Sequence, residues 1–537
     1  MISIRDRSDF VNNEINQVYD VVIIGGGITG AGILLDSSSR GLNTLLIDKN
    51  DYASGTSSKS TKLIHGGLRY LKKLEFRIVR NVGRERKIAH KNAPHLVVPE
   101  KMLIPLTKKG SFKKWQLNIA LFIYDILAGV KGNDRRKILS KKETIKTEPS
   151  LESDQLKGAG YYAEYRTDDA RLTIEIIKTA QKHKGKSLNY LEAKSIVKQE
   201  YFSIDCYDHI LKKNITIKTK KLVNACGPWV DFTRAIENKN INSKIRLSKG
   251  IHIVVAHSKL PLKQAVYFDA NEHRMCFAIP RGEVTYIGTT DNDYNKHPDN
   301  PKTSTNDVAY ILESANKIFS KKLTNKDVIS SWAGLRPLIE QKGKKSTELS
   351  RKDELFISES GMISIAGGKL TGYRLMAKKV VDLLIKDFKI SRRCTTENIS
   401  IGGNFKPNFE NYHQFKNTVK KELSSKNLNQ KIADYLIQNY GINCLELIKK
   451  YDSQKHTSIQ DLEIIYTIES EGVCKPIDYF MRRSGKIYFR PEEVSIDIQN
   501  YSKIFEDHLK LEPLEIKNLM NEVLDEKKHL ISFKNED

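Results

Sequence analysis

Residues 19–32 read YDVVIIGGGITGAG, and the fold of the whole chain turns on how they are read. Val21, Val22, Ile23 and Ile24 form a short apolar, β-branched run, the pattern of a strand buried on both faces. Gly25, Gly27 and Gly30 follow at G-x-G-x-x-G spacing, and residues 31–40 continue as a helix. In such a unit the first glycine permits the tight turn and the second lets a pyrophosphate approach the backbone. The third lets the helix lie close on its strand. Ile28 and Thr29 open that helix, where unpaired N–H groups and the positive dipole end suit phosphate. Composition alone would give three glycines at this spacing only about 0.1 times in a chain of this length, and here a strand precedes and a helix follows. A second strand (residues 43–47) ends at Asp48, 18 residues past Gly30 and close to the ~20 expected of a carboxylate that holds a ribose hydroxyl. These residues predict a dinucleotide site.

The chain has 537 residues, so two or three domains are expected. Residues 1–16 hold no apolar stretch of the secretory kind, and no run reaches the ~18 uncharged apolar residues of a spanning helix. The six cysteines are scattered with no C-x-x-C pair, and no H-E-x-x-H occurs. Neither a disulfide framework nor a metal site is expected, and a reducing cytosol fits. Net charge is +25 with pI near 9.4, which asks for an anionic partner: nucleic acid, an anionic membrane surface or a phosphorylated substrate. The lysines are dispersed, without the clusters and interleaved aromatics of a nucleic-acid module, so nucleic acid is not expected.

After Asp48 comes SGTSSKSTKLIHGGLRYL, residues 54–71. Small hydroxyls, Ser57 and Ser58 among them, lead into Leu63, Ile64, His65, Gly66, Gly67, Arg69 and Tyr70. Such a donor-rich loop suits a cofactor longer than nicotinamide, and the paired glycines permit close approach to a flat ring. Further on, residues 187–198 read as a strand and turn with Val197 toward the cofactor, and 222–227 as a strand ending in a glycine turn. In residues 362–376 a strand, Gly367 and Gly368, Lys369 and a helix from Leu370 follow one another, so a helix start points at the far end of the cofactor. Asp168 and Asp169 are not read as a catalytic pair; Thr167 with Asp168 reads as the cap of a helix beginning near Ala170.

The stretches GGGITGAG, TSSKSTKLIHGGLRYL, APHLVVPEKMLIPL, YRTDDARL, LVNACGPWV, SKGIHIVV, IGTTD, SWAGLRPL and IAGGKLTGYR occur in that order. The ordered set resembles the FAD-dependent (aerobic, respiratory) glycerol-3-phosphate dehydrogenases, densely over residues 18–400 and more loosely beyond. The resemblance implies an α/β chain. Its Rossmann-like FAD-binding domain, of the glutathione-reductase/D-amino-acid-oxidase type, would comprise 18–90, 160–240 and 335–390. A mixed α+β substrate domain would comprise 91–159 and 241–334, and a C-terminal helical domain 395–537. It also implies that Ala225 and Gly227 bring backbone against FAD. The implied reaction oxidises sn-glycerol 3-phosphate at its secondary alcohol to dihydroxyacetone phosphate and passes electrons to a membrane quinone. A homodimer is expected, cytoplasmic or peripheral on the inner face of the plasma membrane. The same resemblance spans glycerol-3-phosphate oxidase, which would use oxygen and release hydrogen peroxide.

A phosphate dianion is best held by arginine, and Arg69 and Arg336 are the candidates, with Lys369 and Arg374 behind them. Arg336, between Gly334 and Pro337, reads as held on a rigid turn. The hydroxyl proton needs a base, for which His65 and His252 have suitable ordinary pKa values near 6.5, and Tyr70 and Thr371 would bind substrate oxygens. Trp115, Ile119, Phe122, Ile126 and Val130 recur at helical spacing beside Lys108, Lys109, Lys113 and Lys114. Two placements compete, against the core or in a membrane interface, and the core-facing one is favoured. From residue 395 the sequence reads as amphipathic helices whose role is not legible.

Overall fold

The structure is a computed structural model that describes residues 1–537 apart from 66–75, 109, 131, 271–273, 342–352, 406–407, 454–457 and 536–537. β1 (Val18–Ile24) pairs in parallel with Lys213–Asn224 on one side and with β2 (Thr44–Ile47) on the other. Ile363–Gly367 and Lys186–Leu188 extend the sheet in parallel, and Asp353–Ile357 closes one edge antiparallel. Alternation along β1 feeds two cores, as its unbroken apolar run predicts. Val21 and Ile23 pack with α1 (Ile28–Ser39) and the helices Asp169–Gln181 and Tyr373–Asp387. Val22 and Ile24 pack on the meander Leu191–Lys198 and Phe202–Asp208. Each such side chain contributes about 1.5–3 kcal/mol by burial. α1 can lie this close because Gly32 carries no side chain: a Cβ there would stand 2.9 Å from Tyr373 Cδ2.

The second sheet is mostly antiparallel. Ile245–Ala256 lies between Val284–Gly288 and Val328–Ile339, and the sheet runs on through Met275–Arg281, Ala265–Asp269, Val98–Thr107 and Leu156–Arg166. Leu63 and Ile64, at the end of the donor-rich loop, pair with Arg166 and Tyr165, so that loop ties the two sheets together. Arg336 lies inside the strand Val328–Ile339, opposite Ser248, and the expected rigid turn is replaced by regular pairing.

The helix Lys114–Ala128 reverses the favoured reading of its stripe. Leu117, Leu121 and Tyr124 are fully buried, whereas Trp115, Ile119, Phe122 and Ile126 are 48–63% exposed. The buried face is the one that meets Gly160, where a Cβ would stand 2.7 Å from Leu117 Cδ2. Helical spacing identified a true stripe, but two apolar stripes run along this helix and the sheet takes the other one.

The C-terminal region is helical, as expected: Tyr412–Ser425, Gln430–Tyr440, Cys444–Ser453, Ile459–Ser470, Pro491–Leu509 and Pro513–His529. Gly441 (φ +53°) ends the second of these. Buried ion pairs of Glu471 with Arg171 and Lys178 join it to the nucleotide-binding half.

Candidate active site

A cavity of about 840 Å³ is lined from both sheets. At one end stand Gly25, Gly27, Ile28, Thr29 and Asp48. Gly25 has φ +112°, and a Cβ there would sit 2.7 Å from the carbonyl oxygen of Ala225. Gly30 does not face the cavity; a Cβ on it would overlap the carbonyl oxygen of Gly25, so it is what seats α1 on the turn. The cap position of α1 is Gly27, which has no side chain to close the helix start. Ser57 Oγ, on the cavity wall, accepts from the amide of Ile28 at 2.9 Å. Asp48 Oδ2 accepts from the amide of Gly26 at 2.6 Å, and burial pushes its carboxyl up to about 6. A glycine cradle, an open helix start and a carboxylate at the end of β2 fit the diphosphate and ribose of a dinucleotide.

The middle of the cavity is walled by Ala225, Cys226 and Gly227, the last with φ +56°. Burial pushes the Cys226 thiol up to about 12, so it packs as a small apolar group. At the far end Gly367 and Gly368 (φ +77° and +76°) turn the chain into Lys369, Leu370 and Thr371, all on the wall. The helix expected from Leu370 begins as one 3₁₀ turn, Leu370–Gly372, before Tyr373–Asp387. Thr371 Oγ1 donates to the carbonyl of His65 at 3.3 Å, which joins this turn to the donor-rich loop.

The second sheet supplies His252 and Arg336. The Arg336 guanidinium lies over Gly250, where a Cβ would stand 2.6 Å from its Cζ. It donates to Thr289 Oγ1 at 2.9 Å and to the carbonyl of Thr290 at 3.2 Å, and pairs with Asp291 at 3.4 Å. The GTTD segment quoted from the sequence without a role is thus the holder of the arginine. His252 is stacked on Trp332 (ring centroids 4.9 Å apart, 14° between planes), and its Nε2 lies 3.0 Å from Thr61 Oγ1. Burial and then the neighbouring Arg336 and Lys62 hold its pKa well below the ordinary value, so the ring is neutral. His65 lines the same cavity, edge-on to Phe277.

Several expected residues lie elsewhere. Arg374 is on no wall of the cavity; it forms a buried pair with Glu85 (2.8 and 2.5 Å) that ties Tyr373–Asp387 to the helix Phe76–Asn92. Val197 is half exposed near the outer end of its strand, and Leu191, Glu192 and Ala193 of that strand line the cavity instead. Ser58 and Ile64 are buried behind the lining. Gly66, Arg69 and Tyr70 fall outside the described residues. Asp168 caps Asp169–Gln181 by accepting from the amide of Arg171 at 3.1 Å, and Asp169 binds buried Lys62 at 2.5 Å. Lys62 and Trp332 were not singled out from the sequence, because the Lys62–Asp169 pair and the Trp332–His252 stack join distant segments, which no local pattern signals.

Residues 20–374 match the family described as FAD dependent oxidoreductase, so the chamber between the sheets belongs to a flavoenzyme of that class. Residues 394–515 match the C-terminal domain of alpha-glycerophosphate oxidase. The chain is 44% identical over 532 residues, 96% of each chain, to an aerobic glycerol-3-phosphate dehydrogenase of Staphylococcus aureus (strain MRSA252). A crystal structure of the glycerol-3-phosphate dehydrogenase from Bacillus halodurans complexed with FAD superposes with a TM-score of 0.84, at 36% identity over 99% of both chains. L-alpha-glycerophosphate oxidase from Mycoplasma pneumoniae shares the fold over 68% of this chain and 95% of its own, with a TM-score of 0.56 and 19% identity. This chain belongs to the FAD-dependent aerobic glycerol-3-phosphate dehydrogenase family.

Proposed function

We propose that this chain oxidises sn-glycerol 3-phosphate to dihydroxyacetone phosphate and delivers the electrons to a quinone in an adjoining membrane. The observation that carries the reading is the meeting of Arg336 and His65 in the chamber whose other end is the glycine cradle. FAD, when bound, accepts the hydride from the secondary carbon and passes the electrons on. Gly25, Gly27, Thr29, Asp48, Ala225, Gly227 and the turn Gly367–Leu370 would hold it. Arg336 takes the substrate phosphate, with Lys369 as a second cation on the same wall. His65, on the wall of the chamber, accepts the hydroxyl proton, while His252, buried, neutral and stacked on Trp332, serves to orient. Accordingly His65→Asn slows flavin reduction in single turnover by about a hundredfold, the lower end of what a positioned base contributes. An unchanged rate moves the base to another residue.

Quinone as acceptor is favoured over oxygen by the outward stripe of Lys114–Ala128. Trp115, Ile119, Phe122 and Ile126 stand exposed on a helix that begins with exposed Lys113 and Lys114, and the Arg136 guanidinium lies 4.8 Å over the Phe122 ring, the composition of a helix lying in an anionic interface. Among the described residues no helix is long and apolar enough to cross a membrane. The deciding experiment adds glycerol 3-phosphate without oxygen and watches the flavin absorbance bleach, then compares quinone reduction in anionic vesicles with peroxide yield. Bleaching, quinone turnover and little peroxide are expected; stoichiometric peroxide would assign an oxidase. Ile119→Glu with Phe122→Glu removes sedimentation with the vesicles and leaves turnover with a soluble dye unchanged. Retained vesicle binding would take the helix out of the interface.

A further inference from the structure

At the cofactor end of the chamber the C-terminal helical domain contacts the loop of residues 48–53. On its inner side this loop lies against the glycine turn. Asp48 binds the amide of Gly26, the amide of Ala53 donates to the carbonyl of Gly26 at 3.0 Å, and Tyr52 Cδ1 would be 2.8 Å from a Cβ on Gly26. On its outer side the loop is held by the C-terminal domain. Fully buried Asp51 accepts from Arg482 Nε at 2.5 Å and from Arg483 Nη1 and Nη2 at 2.7 and 2.9 Å. The arginines are themselves fixed: Arg482 Nη2 donates to Asp478 at 2.8 Å and Arg483 Nη2 to the carbonyl of Glu471 at 2.7 Å. Asn189 Nδ2 bridges Asp51 (3.1 Å) and the carbonyl of Gly472 (2.7 Å). Burial pushes the Asp51 carboxyl up, and Arg483 and Arg482 overcome it, holding it down at about 2.

We propose that the C-terminal helical domain acts as a cofactor clamp, with Arg482 and Arg483 as positioning residues that set the 48–53 loop against the glycine turn through Asp51. The inference rests on the reading of the Gly25–Asp48 end as the FAD diphosphate and ribose site. Neither arginine lines the main chamber, so neither touches the cofactor; they act through the loop. Two planar guanidiniums converging on one carboxylate fix both position and orientation, which a lysine ammonium cannot reproduce. Charge alone is therefore not enough for the clamp.

The test uses the full chain, stripped of flavin and titrated with FAD by quenching of flavin fluorescence. Arg482→Lys and Arg483→Lys each weaken the FAD Kd about tenfold, within the 5–150-fold span of coupling between sites, and shrink the rise in Tm that FAD produces. Asp497→Asn is the control: it breaks a buried pair with Lys486 inside the same domain, lowers Tm and keeps the wild-type Kd. Arginine variants that bind FAD within about twofold of wild type, whatever their Tm, overturn the clamp. Should they fail to fold, Asp51→Asn, which keeps the side-chain shape, is read by the same criterion. A wild-type chain that takes up no FAD is a different result and removes the underlying reading of the cavity.

Discussion

Replacing Arg336 with alanine raises the KM for glycerol 3-phosphate steeply and leaves FAD in place. The guanidinium is held on the chamber wall by Thr289, Thr290 and Asp291, and Gly250 leaves the room it occupies. These anchors pre-organise the cation before substrate arrives, so little ordering cost falls on binding. Truncating one partner of a desolvated, charge-assisted pair costs about 3–4 kcal/mol, roughly 100- to 1,000-fold in kcat/KM. The loss falls on KM, because phosphate is bound alike in the ground and transition states. Arg336 sits on the second sheet, away from the glycine turn, so flavin occupancy stays at the wild-type level. Lysine at this position restores part of the affinity as a point charge without the fork. Gly250→Ala gives an independent check, since its Cβ would displace an otherwise intact guanidinium and reproduce the rise in KM. Steady-state kinetics with flavin content measured on the same samples decides it; a wild-type KM in Arg336→Ala removes this residue from the phosphate site.

The nucleotide end was legible in the sequence because its requirements are local. Gly25, Gly27 and Gly30 with Asp48 are spaced by the geometry of a single strand–turn–helix–strand unit, and the structure places them as that unit demands. The far end was legible where a turn signal survived, at Gly367 and Gly368. What escaped depends on contacts between distant segments. Arg374 reads from the sequence as a cation standing behind Arg69 and Arg336 at the phosphate, but helix periodicity carries it to Glu85. Val197 reads from the sequence as the cofactor-side residue of its strand, yet the chamber meets that strand near Leu191, because the strand runs outward from there. The stripe of Lys114–Ala128 was visible and its direction was not: only the sheet strand bearing Gly160 decides which apolar face is covered. Likewise Asp51 and the pair Arg482–Arg483 are 431 and 432 residues apart, and no spacing rule links them.

Gly30→Ala yields a colourless protein. A Cβ at this position would overlap the carbonyl oxygen of Gly25 and stand 3.1 Å from its carbonyl carbon, so the clash is with backbone and no rotamer relieves it. Relief requires α1 to lift from the turn, which moves the amides of Ile28 and Thr29 away from the wall they form. The cost exceeds the ~1–3 kcal/mol of an overpacked side-chain core, because the turn is also fixed by Ala225 and Asp48 and cannot spread the strain. At more than about 3 kcal/mol lost from binding, FAD affinity falls more than ~100-fold and flavin is shed on purification. Gly32→Ala, two residues along the same helix, separates this from a general intolerance of side chains in α1. Its Cβ would meet Tyr373 Cδ2 at 2.9 Å and Ala377 Cβ at 3.3 Å, side-chain atoms that can move. That variant loses a few degrees of Tm, ~1–3 kcal/mol, and stays yellow. A yellow Gly30→Ala protein with wild-type FAD affinity would show that α1 does not need to sit on Gly25 to hold the cofactor.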